Sequence, residues 1–229
     1  MAIEAEVDGV ISEPLKVNRP RWSDMSVNYP NNTIQKETLY PQISKALGRE
    51  INNDAYANTC ALRMSAGLIR SGVQLPRAPS KGGTIIGDDG KNYWIRVRDL
   101  KAYLYTLFKK PDISVELPKL SSINPYVPEE LDHRLDFVRN NIIEKIKNKN
   151  GIIVFEVTGW RDATGHFTLW EGGEDGRGLL YSSIDQNDPE SAVYYFWMVA
   201  TEVNNGITQK VDFWELKWDI LFCFFWFLM

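Results

Sequence analysis

The sequence contains very little cysteine and histidine, and this scarcity limits the chemistry that it can carry. Its 229 residues include two cysteines, Cys60 and Cys223, and two histidines, His133 and His166. There is no CxxC pair, no HExxH motif and no cluster of histidines with carboxylates at ligand spacing. We therefore expect no metal site. A glycine-rich phosphate loop before a helix is also missing, and we expect no cofactor.

Positive charge and long apolar runs are scarce as well. The formal net charge is −4 and no basic stretch stands out, which argues against a nucleic-acid partner. The longest apolar run, residues 220–229, is shorter than the roughly 20 residues that a membrane helix needs, so we expect no membrane span. The acidic first eight residues lack the basic and then apolar blocks of a signal peptide. We expect synthesis in the cytoplasm without an ordinary export signal.

The overall composition is that of an ordinary globular protein. Hydrophobic residues make up 44% and charged residues 24% of the chain, which is long enough to bury one substantial core. We expect a single domain over 1–229, with a variable N-terminal extension over 1–16 and an atypical apolar tail over 217–229. The tail fits either a buried final strand or an aggregation-prone segment.

Hydrophobic periodicity and turn residues predict an α+β fold, with helices mostly in the first half and strands in the second. The proline-containing segment 111–127 is predicted to be a loop. Predicted helices cover residues 36–47, 59–71, 99–109 and 128–148. Predicted strands cover residues 93–97, 152–157, 166–170 and 179–184.

Cys60 lies at the start of a predicted helix that is apolar on two faces and therefore buried. Asn58 and Thr59 are both suitable N-cap residues, which places Cys60 in the first turn. Free backbone N–H groups and the helix dipole favour a thiolate there, and the same N–H groups can donate to an oxyanion. The alternative is an inert, buried cysteine of the core.

The two histidines differ in their predicted surroundings. His133 lies off the apolar stripe of the helix over 128–148, so we expect it on the surface. His166 begins a strand beside Gly165, on the more polar face that it shares with Thr168. The glycine leaves room for another backbone or a substrate to approach. His166 is therefore the candidate base, and a hydrogen-bonded structural histidine is the alternative.

A third residue is expected on the strand that follows His166. Four glycines between 172 and 178 predict a hairpin turn, and a turn centred near Glu174 brings residues 182–185 opposite His166. Asp185 is the ionisable residue there, and a carboxylate at that point would orient the imidazole. Asp175 and Asp188 remain alternatives, because register cannot be fixed from sequence.

Two motifs carry a resemblance to a known family. Segment 58–65 (NTCALRMS) and the downstream segment 165–170 (GHFTLW) resemble the type VI secretion amidase effectors of family four. Further similarity lies in segments 18–22, 28–30 and 93–104, and the whole resemblance covers roughly residues 17 to 216.

The resemblance implies a papain-like cysteine amidase. Such an enzyme cuts the γ-D-glutamyl–meso-diaminopimelate bond of bacterial peptidoglycan, is delivered into rival bacteria, acts in their periplasm and is neutralised by a cognate immunity protein. Cys60 then corresponds to the nucleophile, His166 to the base and Asp185 to the third residue. Asn58 and Gly165 are candidates for substrate or oxyanion contacts. Some members carry cysteines in the hairpin after the histidine; this chain has none, which excludes a disulfide there.

Two other functions remain compatible with the sequence. One is a non-catalytic papain-like module that binds cell-wall peptides or a protein partner. The other is a cysteine protease acting on proteins. Activity on purified peptidoglycan and on casein separates these alternatives from the amidase.

Overall fold

The computed structural model describes most of the chain from residue 19 to residue 218, and the backbone of four two-residue strands that precede it. The residues outside the described part are 1, 4–5, 8–9, 12–14, 17–18, 124, 162, 174–177, 182–194, 201–204 and 219–229. Of the apolar tail predicted over 217–229, residues 219–229 lie outside the described residues. Across the described part, every helix is too short or too polar to traverse a lipid bilayer.

Helices occupy most of the first half of the described chain, as the sequence predicts. They are α1 (Trp22–Asn28), α2 (Lys36–Ile43), α3 (Lys45–Gly48), a 3₁₀ turn (Asp54–Tyr56), α4 (Cys60–Arg70), α5 (Val97–Leu107), α6 (Pro128–Val138), a π-helical turn (Arg139–Ile143) and α7 (Glu144–Ile146). The helix predicted over 36–47 is broken at Ser44, and Pro41 lies inside its first piece. The helix predicted over 128–148 begins at Pro128 but is interrupted by the π turn.

The strands form one large sheet and several small hairpins. They are β1 (Ala2–Ile3), β2 (Glu6–Val7), β3 (Val10–Ile11), β4 (Leu15–Lys16), β5 (Thr84–Ile86), β6 (Asn92–Trp94), β7 (Ile113–Glu116), β8 (Asn150–Thr158), β9 (Gly165–Glu171), β10 (Leu179–Leu180) and β11 (Ile207–Glu215). The large sheet is antiparallel, in the order β10-β9-β8-β11-β7. This helix-plus-antiparallel-sheet architecture is the expected α+β class.

Three predictions about strands need correction. The segment 111–127 is not only a loop, since it contains β7, which pairs with β11. The strand predicted over 93–97 ends at Trp94, because Val97 already begins α5. Of the strand predicted over 179–184, Leu179–Leu180 is a strand and Tyr181 lies in a turn, while residues 182–184 lie outside the described residues. In the hairpin after β9, Leu179 of β10 lies opposite Glu171 of β9.

The sheet separates two hydrophobic clusters, and this arrangement positions α4. On one side, Ile152, Val154, Phe167 and Leu169 pack with residues of α1, α2, α4 and α5. On the other side, Ile153, Phe155 and Trp170 pack with Val138, Ile142 and Ile146 of the long helical segment. Every residue of α4 from Cys60 to Ile69 is buried, which fits the two apolar faces read from its sequence. The first turn of α4 therefore meets the start of β9 inside the protein.

Candidate active site

A cavity of about 420 Å³ lies where the first turn of α4 meets the start of β9. It is lined by Tyr29, Asn32, Ala57, Asn58, Thr59, Cys60, Arg63, Trp160, His166 and Tyr195. The fold thus brings together Cys60 and His166, the pair selected from sequence. At His166, β9 pairs with β8. The described part of β10 lies further along β9, opposite Trp170 and Glu171.

Cys60 is the first residue of α4, as its capping sequence predicts. The Oδ1 atom of Asn58 accepts a hydrogen bond of 3.3 Å from the Cys60 backbone N–H. Burial raises the pKa of the Cys60 thiol to about 11, although backbone N–H groups of Phe167 and Ala61 pull it down. The pKa of Cys60 is thus raised, whereas the helix terminus alone would lower it, because desolvation of the thiolate is the larger effect.

The thiol proton is directed toward a backbone carbonyl. Cys60 Sγ donates to the carbonyl oxygen of Gly165 over 3.9 Å, a weak hydrogen bond. This contact ties the first turn of α4 to the residue just before His166. The sulfhydryl is therefore in contact with β9.

His166 is held by stacking rather than by a hydrogen bond to its Nε2 atom. Its ring lies parallel to that of Tyr195, with centroids 4.1 Å apart and an interplanar angle of 3°. Nε2 is buried and has no hydrogen-bond partner among the described residues. Burial, and after it the positive charge of Arg63, lower the pKa of His166 well below its usual value. A neutral imidazole is the form that can accept a proton.

The cavity therefore holds a neutral thiol and a neutral imidazole, and this has a measurable consequence. We expect the rate of alkylation of Cys60 by iodoacetamide to rise about tenfold per pH unit from pH 6 to pH 9, because only the thiolate reacts. The measurement uses a Cys223→Ser background, in which Cys60 is the only thiol. A rate that is constant between pH 6 and pH 8 would instead indicate a preformed thiolate–imidazolium pair.

Arg63, one turn after Cys60, is a buried cation held by uncharged acceptors. Its Nε donates to Thr59 Oγ1 at 2.9 Å. Its two terminal nitrogens donate to the backbone carbonyls of residues 30, 31 and 34, over 3.0, 2.6 and 2.8 Å. The side chain thus fixes the 30–34 loop, which carries Asn32 into the cavity wall. Its charge favours the thiolate of Cys60 and disfavours the imidazolium of His166.

Arg63→Lys is expected to destabilise the protein by about 2 kcal/mol, because one ammonium cannot reach the four acceptors of a planar guanidinium. Urea unfolding measures the change. Arg70→Lys is the matched control, since Arg70 is exposed at the end of the same helix and should change stability by less than about 0.5 kcal/mol. Equal stability losses in the two variants would show that the hydrogen bonds of Arg63 contribute little.

Asn58 and Gly165, the other candidate site residues, both lie at the sulfur but in different ways. Asn58 lines the cavity, and its Oδ1 is occupied by the Cys60 N–H, which leaves its amide NH₂ free to act as a donor. Gly165 offers its carbonyl. A Cβ at Gly165 would lie 2.3 Å from the Phe155 carbonyl oxygen, so the space beside this glycine is taken by the neighbouring strand.

The other residues considered from sequence are three aspartates and His133. Asp185, Asp175 and Asp188 all lie outside the described residues, and no carboxylate is present among the cavity residues named above. His133 is exposed on α6, as its position off the apolar stripe predicts. Of the two histidines, only His166 shares a cavity with Cys60.

The sequence alone did not assign roles to six residues of the cavity wall, namely Tyr29, Asn32, Ala57, Arg63, Trp160 and Tyr195. Arg63 carried a usable signal, because it is a charged residue inside a helix predicted to be buried. Tyr29 lies in one of the segments that carry the family resemblance. Trp160 follows the end of β8 in a turn, and Tyr195 has no local pattern that links it to His166. Their proximity is a product of tertiary packing.

A protein-family model matches the part of the chain that carries Cys60 and His166. Residues 56–214 match the family model "Type VI secretion system (T6SS), amidase effector protein 4", and this span includes both Cys60 and His166. No curated protein matches the chain.

Solved structures of effectors named Tae4 are similar over most of the chain. The effector in the Tae4–Tai4 effector–immunity complex from Enterobacter cloacae is 26% identical, with a TM-score of 0.59; the match covers 87% of this chain and 99% of that one. The Enterobacter cloacae Tae4 effector itself is 25% identical, with a TM-score of 0.58 and coverage of 87% and 98%. The Tae4/Tai4 structure from Salmonella typhimurium, at 23% identity, supports the fold alone, with a TM-score of 0.57 and coverage of 86% and 99%.

The family model spans more than half of the sequence, and the fold similarity extends well beyond the two motifs. The α+β architecture is accordingly the papain-like fold that the motifs imply. The chain belongs to the type VI secretion system amidase effector family 4.

Proposed function

We propose that this amidase effector hydrolyses the γ-D-glutamyl–meso-diaminopimelate amide of peptidoglycan stem peptides, with Cys60 as nucleophile and His166 as general base. The observation that carries the proposal is the shared cavity of these two residues at the first turn of a buried helix. An imidazole kept neutral by burial is ready to take the thiol proton when substrate arrives.

The geometry of the cavity supports a mechanism with an acylation step and a deacylation step. As a substrate carbonyl enters, the Cys60 proton passes to His166 and the sulfur bonds to the carbonyl carbon. The oxyanion is stabilised by the Asn58 amide and by backbone N–H groups near the sulfur. The imidazolium then protonates the departing amine, which leaves a thioester on Cys60. Water, deprotonated by His166, releases the acid and restores the thiol.

Buried surroundings help this chemistry once substrate covers the cavity. The Cys60 thiolate is costly in the free protein, and Arg63 provides a positive charge nearby. Gly165 accepts from the thiol before reaction and lies next to the base, so it keeps the sulfur and the imidazole at neighbouring positions. We infer that the reactive ion pair forms only during attack on the carbonyl.

Asp185 is proposed as the residue that orients His166. The support for this choice is the family resemblance, since the described part of β10 ends at Leu180, opposite Trp170, and does not reach residue 185. Asp185→Asn is expected to lower kcat at least about tenfold, and more than it weakens substrate binding, because an amide lacks the charge that stabilises imidazolium. Steady-state kinetics on a stem peptide measures both parameters.

Asp175→Asn is the control for this prediction and should leave kcat unchanged. If Asp185→Asn is fully active while Asp175→Asn or Asp188→Asn is impaired, the third residue has been assigned to the wrong aspartate. The assignment of Cys60 and His166 does not depend on this result.

Delivery and inhibition follow from the family. We propose that type VI secretion components carry the protein out of the producing cell, that it acts in the periplasm of target bacteria, and that a cognate immunity protein blocks it. The support for the last point is that Tae4 relatives have been solved as complexes with the immunity protein Tai4.

The proposed bond is tested by mass spectrometry of muropeptides after digestion of purified peptidoglycan. Two new kinds of product are expected. One ends in γ-D-glutamate, and the other begins with meso-diaminopimelate. Cleavage at another amide would reject the bond assignment. Unchanged muropeptides together with retained binding would favour the non-catalytic module, and digestion of casein would favour a protease acting on proteins.

A further inference from the structure

A second cavity, of about 460 Å³, adjoins the one that holds Cys60 and His166. Asn58 and Trp160 line both cavities, so the two share a wall. The second cavity is formed by the 3₁₀ turn, the start of α5 and the turn after β8. Its lining residues with charged side chains are Asp54, Arg96, Arg98 and Arg161. A substrate that extends from the sulfur past Trp160 would enter this cavity.

The charge of the second cavity is opposite to that of the whole protein. Three arginines and one aspartate line it, so the described lining residues carry a formal charge of +2, whereas the chain carries a formal net charge of −4. Arg96 donates to the carbonyl of Lys81 at 3.1 Å. Arg98 and Arg161 are exposed and make no ion pair with a described residue. Their guanidinium groups are available to a ligand.

The position of two of these arginines is unfavourable for the fold. Arg96 is the N-cap of α5 and Arg98 lies in its first turn, where the helix dipole disfavours positive charge. The acidic residue of the same turn, Asp99, is buried and accepts a hydrogen bond from Ser80 at 2.9 Å. A negatively charged ligand in the cavity would compensate the two cations at this helix end.

We propose that the second cavity is a subsite for the free carboxylates that flank the scissile amide of the stem peptide. The inference rests on the proposed function and adds the chemical feature by which the substrate is recognised. A γ-linked D-glutamate keeps its α-carboxylate, and diaminopimelate keeps one free carboxylate on its side chain, so a carboxylate lies on each side of the proposed bond. Guanidinium groups pair with carboxylates through two parallel hydrogen bonds.

The test compares two synthetic stem peptides that differ only in charge. One is L-Ala-γ-D-Glu-meso-diaminopimelate-D-Ala with free carboxylates, and the other carries amides at the D-glutamate α-carboxyl and the diaminopimelate side-chain carboxyl. Each is cleaved by the wild type and by the Arg98→Gln/Arg161→Gln double variant. Arg139→Gln is the matched control, since Arg139 is exposed, pairs with Asp136 and lines neither cavity.

The wild type is expected to prefer the acidic peptide by about tenfold or more in kcat/KM, as loss of charged hydrogen bonds predicts. The double variant should lose most of this preference, because its KM for the acidic peptide rises. Arg139→Gln should keep the full preference.

Two results would overturn the subsite, and a third would overturn the function beneath it. The subsite is rejected if the double variant keeps the wild-type preference, or if the wild type cleaves both peptides equally well. In either case the amidase assignment survives. If the wild type cleaves neither peptide and leaves peptidoglycan intact, the proposed function itself is wrong.

Discussion

Cys60→Ala is expected to abolish amide cleavage, with a loss on the order of 10³-fold or more, and to leave the fold intact. In the proposed mechanism the sulfur bonds to the carbonyl carbon, and no second cysteine lines the described cavity. Alanine suits the first turn of α4, where Cys60 is packed beside Ala61. Muropeptide release by purified protein measures activity, and thermal unfolding checks the fold.

Cys60→Ser separates the chemistry from the packing. A hydroxyl has nearly the shape of a thiol but is a much weaker acid, so this variant should be almost as inactive as Cys60→Ala. Retained turnover in either variant, with normal unfolding behaviour, would show that the nucleophile is a different residue.

His166→Ala is expected to lower kcat by about 10²-fold or more, the usual effect of removing a general base. His133→Ala is the control and should change kcat little, because His133 is exposed on α6 and lines no part of the cavity. Kinetics on one peptide substrate compares the two variants directly. Since His166 also stacks on Tyr195, thermal unfolding must show that His166→Ala remains folded.

Equal effects of the two histidine substitutions would contradict the assignment of the base. Full activity of His166→Ala would be more damaging, because no other described residue of the cavity is a histidine or a carboxylate. The proton of Cys60 would then have to pass directly to water.

Local sequence patterns predicted the elements that carry the site. The helix after Cys60 has apolar residues on two faces and Gly72 at its end, where φ is +89°, so its burial and its boundaries follow from nearby residues. The strand of His166 follows from its alternation and from its neighbouring turns. These two elements carry Cys60 and His166, which line the cavity.

Elements that depend on distant partners were missed. β7 lies among prolines, and β11 was not predicted at all, because each is stabilised by pairing across a long stretch of sequence. The π turn at Arg139–Ile143 interrupts a helix whose sequence predicts continuity. In these cases tertiary contacts override the local preference.

The electrostatic state of the site also could not be predicted from sequence. The first turn of a helix favours a thiolate, but the depth at which α4 is buried depends on the packing of both sheet faces. The stacking of Tyr195 on His166 and the hydrogen bonds of Arg63 to the 30–34 loop likewise join segments far apart in the chain. Burial of Cys60 and His166, and the nearby charge of Arg63, thus depend on tertiary packing.

The most direct test of the account is peptide-mapping mass spectrometry of the enzyme after a reaction with stem peptide is quenched in acid. The predicted result is a thioester on Cys60 with the mass of the acyl half of the substrate, ending in γ-D-glutamate, which is absent from Cys60→Ala. Complete conversion of substrate, with Cys60 unmodified at every time point and with Cys60→Ala equally active, would contradict covalent catalysis by Cys60.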